Sequence, residues 1–361
     1  MFFLANCSSN DKIETNFTVL NVAYDSVEKN HLAPSIRNTS EHIFTPLDLT
    51  LSRDFLIIID ANIAPAIHVI DRNNLNNINS FGREGRGPGE FLSPWTITTS
   101  KSDKKNVWVY DNILSRFSSF IIEMKTDSVD KANEALITLD SSEGRPVNAA
   151  MLNDSTIVST GIFHERRIKY FNKDGGIKKS VGDLPHIEPS PSVFNFFTGY
   201  RKIPNNVLQH AYQSKIKSRP DGLYFAIATR HANLIEIYKH HGEKVLEIRG
   251  IKDDVPKIDI MNVQGNSVLN QGIDDFYFGY IDLKTSNSKI YGLYSGRKNA
   301  DGHAYLGNEI HIFNWNGELL KILEFNQYLI AIEIDEMAGK IYGIEHYPDL
   351  SVNIYNFTHL N

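Results

Sequence analysis

Polar residues follow short apolar strands at six places in the sequence, and their types decide which chemistry they could support. Asp60, Asn62, Asp111, Asn112 and Glu345 offer the hard oxygen ligands that Ca²⁺ prefers. The other candidates provide imidazole, guanidinium, phenol and one further carboxylate, which suit the recognition of a small ligand or a peptide: His164, Glu165, Tyr200, Arg201, Arg230, His231, Arg297 and His346. Two kinds of site are therefore open, a calcium-dependent hydrolytic centre and a binding surface without catalysis.

Motifs for several other functions are missing from the sequence. There is no HExxH motif, no pair of CxxC motifs and no Gly-x-Ser-x-Gly element. His240 and His241 are adjacent, and neighbouring residues of a strand point to opposite faces, which argues against a zinc pair. The net charge of −6 argues against a general nucleic-acid binder, because such a protein needs a basic face.

A module of short alternating strands recurs six times and must position these residues. Its second strands begin at Leu56, Val107, Thr156, Leu223, Lys289 and Lys340, at intervals of about 49 to 67 residues. One such unit cannot bury its apolar face alone, so the period predicts a propeller or a solenoid. A solenoid needs capping units and gives no reason for an incomplete last repeat, which favours the propeller.

The last repeat lacks its fourth strand. A strand-like segment at residues 17–22 is predicted to supply this strand and to close the ring. Closure removes exposed sheet edges, which otherwise favour aggregation. The predicted fold is therefore an all-β, six-bladed propeller of four-stranded antiparallel blades, closed by an N-terminal strand, in a single domain over residues 16–361.

In a propeller, the loops between the second and third strands emerge on the same face as the connections between blades. This geometry predicts that the candidate residues surround the mouth of the central channel. Two long connections, at about residues 182–206 and 251–274, are predicted to lie over the same face. The first contains Phe194, Phe196, Phe197, Tyr200 and Arg201, so an aromatic flap is expected above the mouth.

Residues 81–94 form a glycine-rich connection with the sequence FGREGRGPGEFLSP. It resembles the connection between blades in NHL-repeat propellers, with Phe91 and Pro94 in register with its glycines. Glycine permits a positive φ in the tight crossing, and Phe91 can fill the gap between blades. A phosphate-binding loop is not favoured, because no helix follows to bind an anion. The chain as a whole resembles the six-bladed TolB-like propeller lipoproteins of Bacteroidetes, most of which lack an established activity.

The first residues, MFFLANC, resemble the end of a bacterial lipoprotein signal. Cys7, the only cysteine, lies where the lipidated residue would be, and a polar segment follows it. Asn6 departs from the small residue usual before that cysteine, and the positively charged start of a signal is missing. Residues 1–15 are therefore predicted to be a shortened signal and tether. The resemblance implies an extracytoplasmic protein, lipid-anchored in the periplasm or at the outer membrane.

The preferred hypothesis is a non-catalytic binding protein that uses the loop-rich face. Its partner is predicted to be a peptide, a glycan or another envelope protein, with no nucleic acid and with membrane contact through the lipid anchor alone. No cofactor is expected, and the protein is predicted to be a monomer. The alternative is a calcium-dependent hydrolase or lyase similar to the six-bladed lactonases, with Ca²⁺ bound at the channel mouth.

Overall fold

The computed structural model is dominated by β-strands. It describes residues 17–39, 43–61, 64–100, 103–125, 128–184, 194–195, 199–200, 203–347 and 349–357. Among these residues there is one α-helix, α1 (Asn205–Ala211), and no helix that is long and apolar enough to cross a membrane. Short strands with alternating burial account for most of the remaining structure, as the sequence pattern predicts.

Three short strands come first in the chain, ahead of the repeating sheets: β1 (Thr18–Val22), β2 (Lys29–Leu32) and β3 (Pro34–Asn38).

Blades 1 to 3 are antiparallel sheets, each built from four strands in chain order. Blade 1 contains β4 (Pro46–Leu51), β5 (Phe55–Asp60), β6 (Ile67–Asp71) and β7 (Asn77–Phe81), and the two-residue strands β8 (Arg83–Glu84) and β9 (Glu90–Phe91) follow it. Blade 2 contains β10 (Pro94–Thr99), β11 (Asn106–Asp111), β12 (Arg116–Lys125) and β13 (Ser128–Thr138). Blade 3 contains β14 (Gly144–Asn153), β15 (Thr156–Phe163), β16 (Ile168–Asn172) and β17 (Ile177–Val181).

Blades 4 to 6 follow a connection that contains β18 (Phe194–Asn195), β19 (Gly199–Tyr200) and α1. Blade 4 contains β20 (Ser214–Ser218), β21 (Tyr224–Thr229), β22 (Leu234–Lys239) and β23 (Lys244–Gly250), and a hairpin of β24 (Ile260–Val263) and β25 (Asn266–Leu269) follows it. Blade 5 contains β26 (Tyr277–Thr285), β27 (Lys289–Lys298), β28 (Gly307–Asn314) and the first part of β29 (Leu319–Asp335). Blade 6 contains the second part of β29, β30 (Lys340–Tyr347), β31 (Ser351–Asn356) and β3.

The six inner strands form a closed ring. Each contacts the next in the cyclic order β4, β10, β14, β20, β26 and β29, and β29 contacts β4 again. Buried apolar side chains fill the gaps between neighbouring blades, for example Ile57 of blade 1 and Val109 of blade 2 in one cluster. The predicted six-bladed all-β propeller is confirmed.

Closure of the ring by an N-terminal strand is also confirmed, but the predicted strand is wrong. β3 pairs antiparallel with β31 as the outer strand of blade 6, and the Ser35 hydroxyl donates to the Ile354 carbonyl at 2.9 Å. Residues 18–22 instead form β1, which pairs parallel with β23 at the outer edge of blade 4. β2 pairs parallel with β29 in blade 5. Alternation in residues 17–22 predicts a strand, but any open outer edge can accept one, so the pattern did not identify the blade.

The glycine-rich connection between blades 1 and 2 has the predicted roles. Gly82, Gly85 and Gly89 have φ values of +92°, +152° and +73°, which a residue with a Cβ rarely adopts. Phe91 is buried in the cluster between the two blades, with its ring centroid 6.0 Å from that of Phe120. The ring also approaches Gly82 so closely that an added Cβ would lie 3.3 Å from it.

Replacing Ile36 of β3 with proline tests the assignment of the closing strand. Ile36→Pro should lower the free energy of unfolding by about 3 kcal/mol, because proline disrupts the pairing that completes blade 6. Val19→Pro in β1 is the matched control, since the two side chains are 40% (Val19) and 38% (Ile36) exposed and β1 is a fifth strand on a complete blade. Urea denaturation measures both, and equal losses would contradict the assignment.

Candidate functional site

The strand registers define a loop-rich face. In blade 1, Pro46 pairs with Asp60 and Ile67 pairs with Phe81, so the loop between the second and third strands lies at the same end as the connections between blades. The same pattern holds in blade 2, where Pro94 pairs with Asp111. This is the face on which the candidate residues were predicted to lie.

The two long connections pack against each other over this face. Val207 and Ala211 of α1 share an apolar cluster with Leu269 of β25 and with Phe276. The Asn205 side-chain amide donates to the carbonyl of Phe163 at 2.7 Å, which ties α1 to blade 3. The predicted aromatic flap lies largely outside the described residues: the backbones of β18 and β19 pair, but the side chain of Tyr200 and all of Arg201 are not described.

A cavity of about 210 Å³ lies beneath α1, between blades 2, 3 and 4. We call it the α1 cavity. Its apolar walls are Trp95, Val147, Ile162 and Tyr212, and its polar lining includes Asn112, Asn148, Arg145, Arg167, Gln209, His210 and Gln213. No aspartate or glutamate of the described residues lines it. The α1 cavity is therefore a preformed, half-apolar site with a positive lining.

Arg167 is the buried cation of the α1 cavity. Its guanidinium forms an ion pair with Glu236, donates to the Ser214 hydroxyl at 3.1 Å and lies 5.0 Å from the centroid of the Tyr212 ring. The Nε of Arg167 is buried and has no hydrogen-bond partner among the described residues. An unpaired buried N–H costs free energy.

Two histidines near the α1 cavity are held in the neutral form. Burial lowers the pKa of His210, and the nearby charge of Arg145 lowers it further. His231 is buried edge-on against the rings of Phe276 and Phe278, at centroid distances of 4.8 and 5.4 Å. Burial, together with the charge of Arg230, lowers the pKa of His231 to about 3. Neither imidazole is therefore a cation at pH 7.

Three of the predicted calcium ligands accept hydrogen bonds from neighbouring parts of the fold. Asp60 accepts hydrogen bonds from the backbone N–H groups of Phe44 and Thr45, at 2.7 Å each. Asp111 accepts from two backbone N–H groups just before β10 and from two in the loop that follows Asp111, at 2.6 to 3.0 Å. Glu345 accepts from the Asn353 amide at 2.9 Å and from a neighbouring hydroxyl. All three carboxylates are buried, and each lies in a different blade.

The fourth and fifth predicted oxygen ligands are placed differently. Asn112 lines the α1 cavity, and Asn62 lies outside the described residues. Among the described residues, no three His, Cys, Asp or Glu side chains come close enough together to hold a metal ion. The structure thus brings Asn112 to a cavity rather than to a carboxylate cluster.

The remaining predicted residues fall into separate places on the face. His164 and Glu165 are exposed in the loop between β15 and β16. Arg230 lies over the Phe278 ring at 5.8 Å, next to His231. Arg297 and His346 are in blades 5 and 6.

Arg297 and His346 belong to an aromatic cluster on blades 5 and 6. The His303 ring lies 3.9 Å from that of Tyr347 and 5.6 Å from that of Tyr328, centroid to centroid. Arg297 lies over the Tyr328 ring at 4.4 Å, and His346 meets Tyr305 edge-on at 6.2 Å. Tyr305 and Tyr347 are exposed, so this cluster offers ring faces to solvent.

A network of buried ion pairs joins the inner strands around the central channel. Asp48 of blade 1 pairs with Lys284 of blade 5 at 2.7 Å and with Lys217 of blade 4 at 3.4 Å. Blades 1 and 4 are opposite in the ring, so this last pair crosses the channel. Lys284 also lies 3.9 Å from Asp282 and 3.8 Å from Glu333. The sequence analysis missed this network, although charged residues at alternate positions of apolar strands, as in residues 280–285, are a signal for it.

Pairing decides the charge states inside the channel. Burial alone would raise the pKa of the Asp48 carboxyl, but Lys217 and Lys284 hold it well below its usual range. Burial opposes the charge of Lys284 too, yet Asp48, Asp282 and Glu333 raise the pKa of its ammonium group. For Glu333, burial exceeds the effect of Lys284 and raises the pKa of the carboxyl. Asp48 and Lys284 are therefore the charged centre of the network.

The sequence analysis also missed most of the α1 cavity. Trp95 and Arg145 lie at the starts of inner strands, whereas the predicted site residues come from loops between second and third strands and from the first long connection. His210 and Tyr212 lie in or after α1, which no apolar periodicity predicted. One signal for the cavity was present in the sequence: its inner strands are otherwise apolar but begin with a polar or aromatic side chain.

Replacing Lys284 with methionine tests the channel network. Lys284→Met should lower the free energy of unfolding by about 3 to 5 kcal/mol, because the buried Asp48 carboxylate loses its closest partner. Lys215→Met is the control, since the ion pair of Lys215 within the described part of the chain, to Asp282, is long at 3.9 Å, and its loss should cost about 1 kcal/mol or less. Chemical denaturation at pH 7 measures both variants, and equal losses would show that the network does not centre on Lys284.

The buried His231 predicts a dependence of stability on pH. A histidine in the unfolded chain has a pKa near 6.5, whereas the folded value is about 3, so the unfolded chain binds the proton more tightly. The contribution of His231 to stability is complete above pH 6.5 and decreases as the pH falls towards 3. At pH 4.5 the loss should be roughly 2 to 3 kcal/mol relative to pH 7.

His231→Gln should therefore reduce the slope of unfolding free energy against pH between 6.5 and 4.5 by about one proton. Glutamine can still donate to the backbone carbonyls of His210 and Ala211 that the imidazole faces. His164→Gln, at an exposed loop position, is the control and should leave the slope unchanged. An unchanged slope in His231→Gln would contradict the buried neutral state.

Comparison with known proteins agrees with this architecture. A solved structure from Bacteroides fragilis NCTC 9343, of a protein provisionally named as exported, is similar with a TM-score of 0.53 and 11% identity, covering 94% of this chain and 99% of that one. At this identity the similarity shows the fold alone. No curated protein matches the sequence. The family model described as TolB-like 6-blade propeller-like matches residues 26–337. Because that match covers most of the chain, this protein belongs to the TolB-like 6-blade propeller-like family.

Proposed function

We propose that this protein is a non-catalytic binding protein that acts outside the cytoplasm and holds its partner at the loop-rich face. The observation that supports this most is the α1 cavity, which is preformed and combines the apolar walls Trp95 and Tyr212 with the basic residue Arg145. Concave sites with apolar walls and a few convergent polar groups are the usual form of a binding pocket. The α1 cavity is therefore the specific part of the proposed site.

The size of the α1 cavity suits one end of a larger partner. Its volume of about 210 Å³ is below the roughly 300 to 1,000 Å³ of pockets that enclose a whole drug-sized ligand. The rest of the partner would lie across the loop-rich face, where Tyr305 and Tyr347 offer exposed ring surface. A peptide, a glycan or another envelope protein could present such an end group.

Binding without catalysis fits the bonding of the polar groups. The Ser214 hydroxyl donates to the Tyr212 carbonyl at 2.6 Å, so it is not paired with an imidazole base as a serine nucleophile would be. The carboxylates of Asp60, Asp111 and Glu345 already accept hydrogen bonds from other groups of the protein. These hydrogen bonds favour the binding hypothesis over the calcium-dependent hydrolase or lyase.

Two observations support a location outside the cytoplasm. The Bacteroides fragilis protein of the same fold is provisionally named as exported. Cys7 follows an apolar segment that resembles the end of a lipoprotein signal, although it lies outside the described residues. We place the protein on the extracytoplasmic side of the envelope, with lipid attached at Cys7.

Capture from a membrane-envelope extract tests the proposed function. Val147→Trp, which fills the α1 cavity, should reduce recovery of the bound partner at least tenfold relative to the wild-type protein, because the end group loses its place. Met337→Arg is the control: Met337 is 95% exposed in the turn between β29 and β30, at the opposite end of the strands, and its change should leave recovery unaltered. Circular dichroism checks that both variants fold, and equal recovery from folded Val147→Trp would contradict the proposal.

A further inference from the structure

The α1 cavity contains a positive charge that the described part of the chain does not compensate. Arg167, the buried cation of the cavity, is paired with Glu236, which Lys244 also contacts at 3.3 Å. Arg145 is exposed at the rim and makes no ion pair with any residue that the structure describes. Since no carboxylate of the described residues lines the cavity, Arg145 gives it a net positive character.

The donors of the cavity match a carboxylate in number and type. Arg145 presents a planar guanidinium, whose paired N–H groups fit the two oxygens of a carboxylate. The side-chain amides of Asn112 and Gln213 also line the cavity. An anion entering the cavity would therefore meet several N–H donors from three blades.

The walls of the cavity specify what must lie beside the anion. Trp95, Val147, Ile162 and Tyr212 offer carbon surface, and the indole N–H of Trp95 is already used by Asn148 at 2.9 Å. At about 30 Å³ for each water of the liquid, 210 Å³ is the space of about seven water molecules. That space fits a carboxylate and one aliphatic side chain. The carbon surface of these four residues favours an apolar group beside the anion over a sugar ring, whose hydroxyl groups need polar partners on every side.

We propose that the α1 cavity binds the C-terminal carboxylate of a peptide together with the apolar side chain of its last residue. The charged end contacts Arg145, and the side chain packs against Trp95 and Ile162. This inference rests on the proposed function, because it names the end group that the binding face selects. It requires no bond to form or break.

Titration of the whole protein with N-acetyl-leucine and with its amide tests the inference. The two probes differ at one position, where the acid has a charged oxygen and the amide has an NH₂ group. Trp95 in the cavity wall reports binding through its fluorescence. Trp95→Phe identifies the part of the signal that comes from the cavity, since Trp108 and Trp315 remain. The acid should bind at least tenfold more tightly than the amide.

Arg145→Gln should weaken binding of the acid at least tenfold and leave binding of the amide unchanged. Arg166→Gln is the matched control, because Arg166 is an exposed arginine of the same face that pairs with Asp183 and does not line the cavity. It should alter neither affinity. Arg145 is exposed and outside the buried ion pairs, so its replacement should not disturb folding.

Each contrary result has a distinct meaning. Equal affinity for acid and amide would overturn the proposal that the cavity recognises a carboxylate, although the cavity would still bind the apolar side chain. Tighter binding of methyl glucuronoside than of N-acetyl-leucine would overturn the peptide in favour of an acidic sugar. Binding of neither probe would overturn the inference, and capture of a partner by the wild-type protein but not by Val147→Trp would then still support the proposed function.

Discussion

Charge balance in the central channel is the constraint on which the ring depends. The inner strands converge there, so a polar side chain that points inward is buried and loses its hydrogen bonds to water. Asp48 meets this cost through Lys217 and Lys284, and through the backbone N–H of Ile97 in blade 2 at 3.2 Å. Opposite blades are thereby joined through the middle of the molecule. Buried ion pairs occupy the centre of the ring, whereas the α1 cavity, the proposed binding site, lies off the axis between blades 2, 3 and 4.

The irregular parts of the chain are concentrated on one side of this ring. The two long connections flank blade 4, and their packing against each other produces the roof of the α1 cavity. On the outside, β1, β2 and β3 follow blades 4, 5 and 6 in turn. β29 continues without a turn from blade 5 into blade 6. Blades 4 to 6 are therefore linked by more than their mutual packing. Blade 3 contributes Val147 and Ile162 to the walls of the cavity.

The sequence predicted the architecture because its signals are local. Strand alternation, the spacing of the second strands and the glycines around Phe91 each act within one blade or one connection. The placement of residues 17–22 could not be predicted in this way, because outer edges of several blades accept a strand equally well. The candidate site was harder still. Asp60 and Asp111 have the residue type of metal ligands, but whether a carboxylate bonds a ligand or its own loop depends on backbone N–H groups that the sequence pattern does not locate. The α1 cavity combines side chains from three blades and a short helix, so no single segment signals it.

The position of β3 has a consequence for how the protein is made. β3 precedes residue 39, but its partner β31 begins at Ser351, almost at the end of the chain. The partners of β1 and β2, which are β23 and β29, also come much later in the chain. During synthesis, each of these three strands is made long before its partner, so the outer edge of blade 6 cannot be closed until β31 has been made.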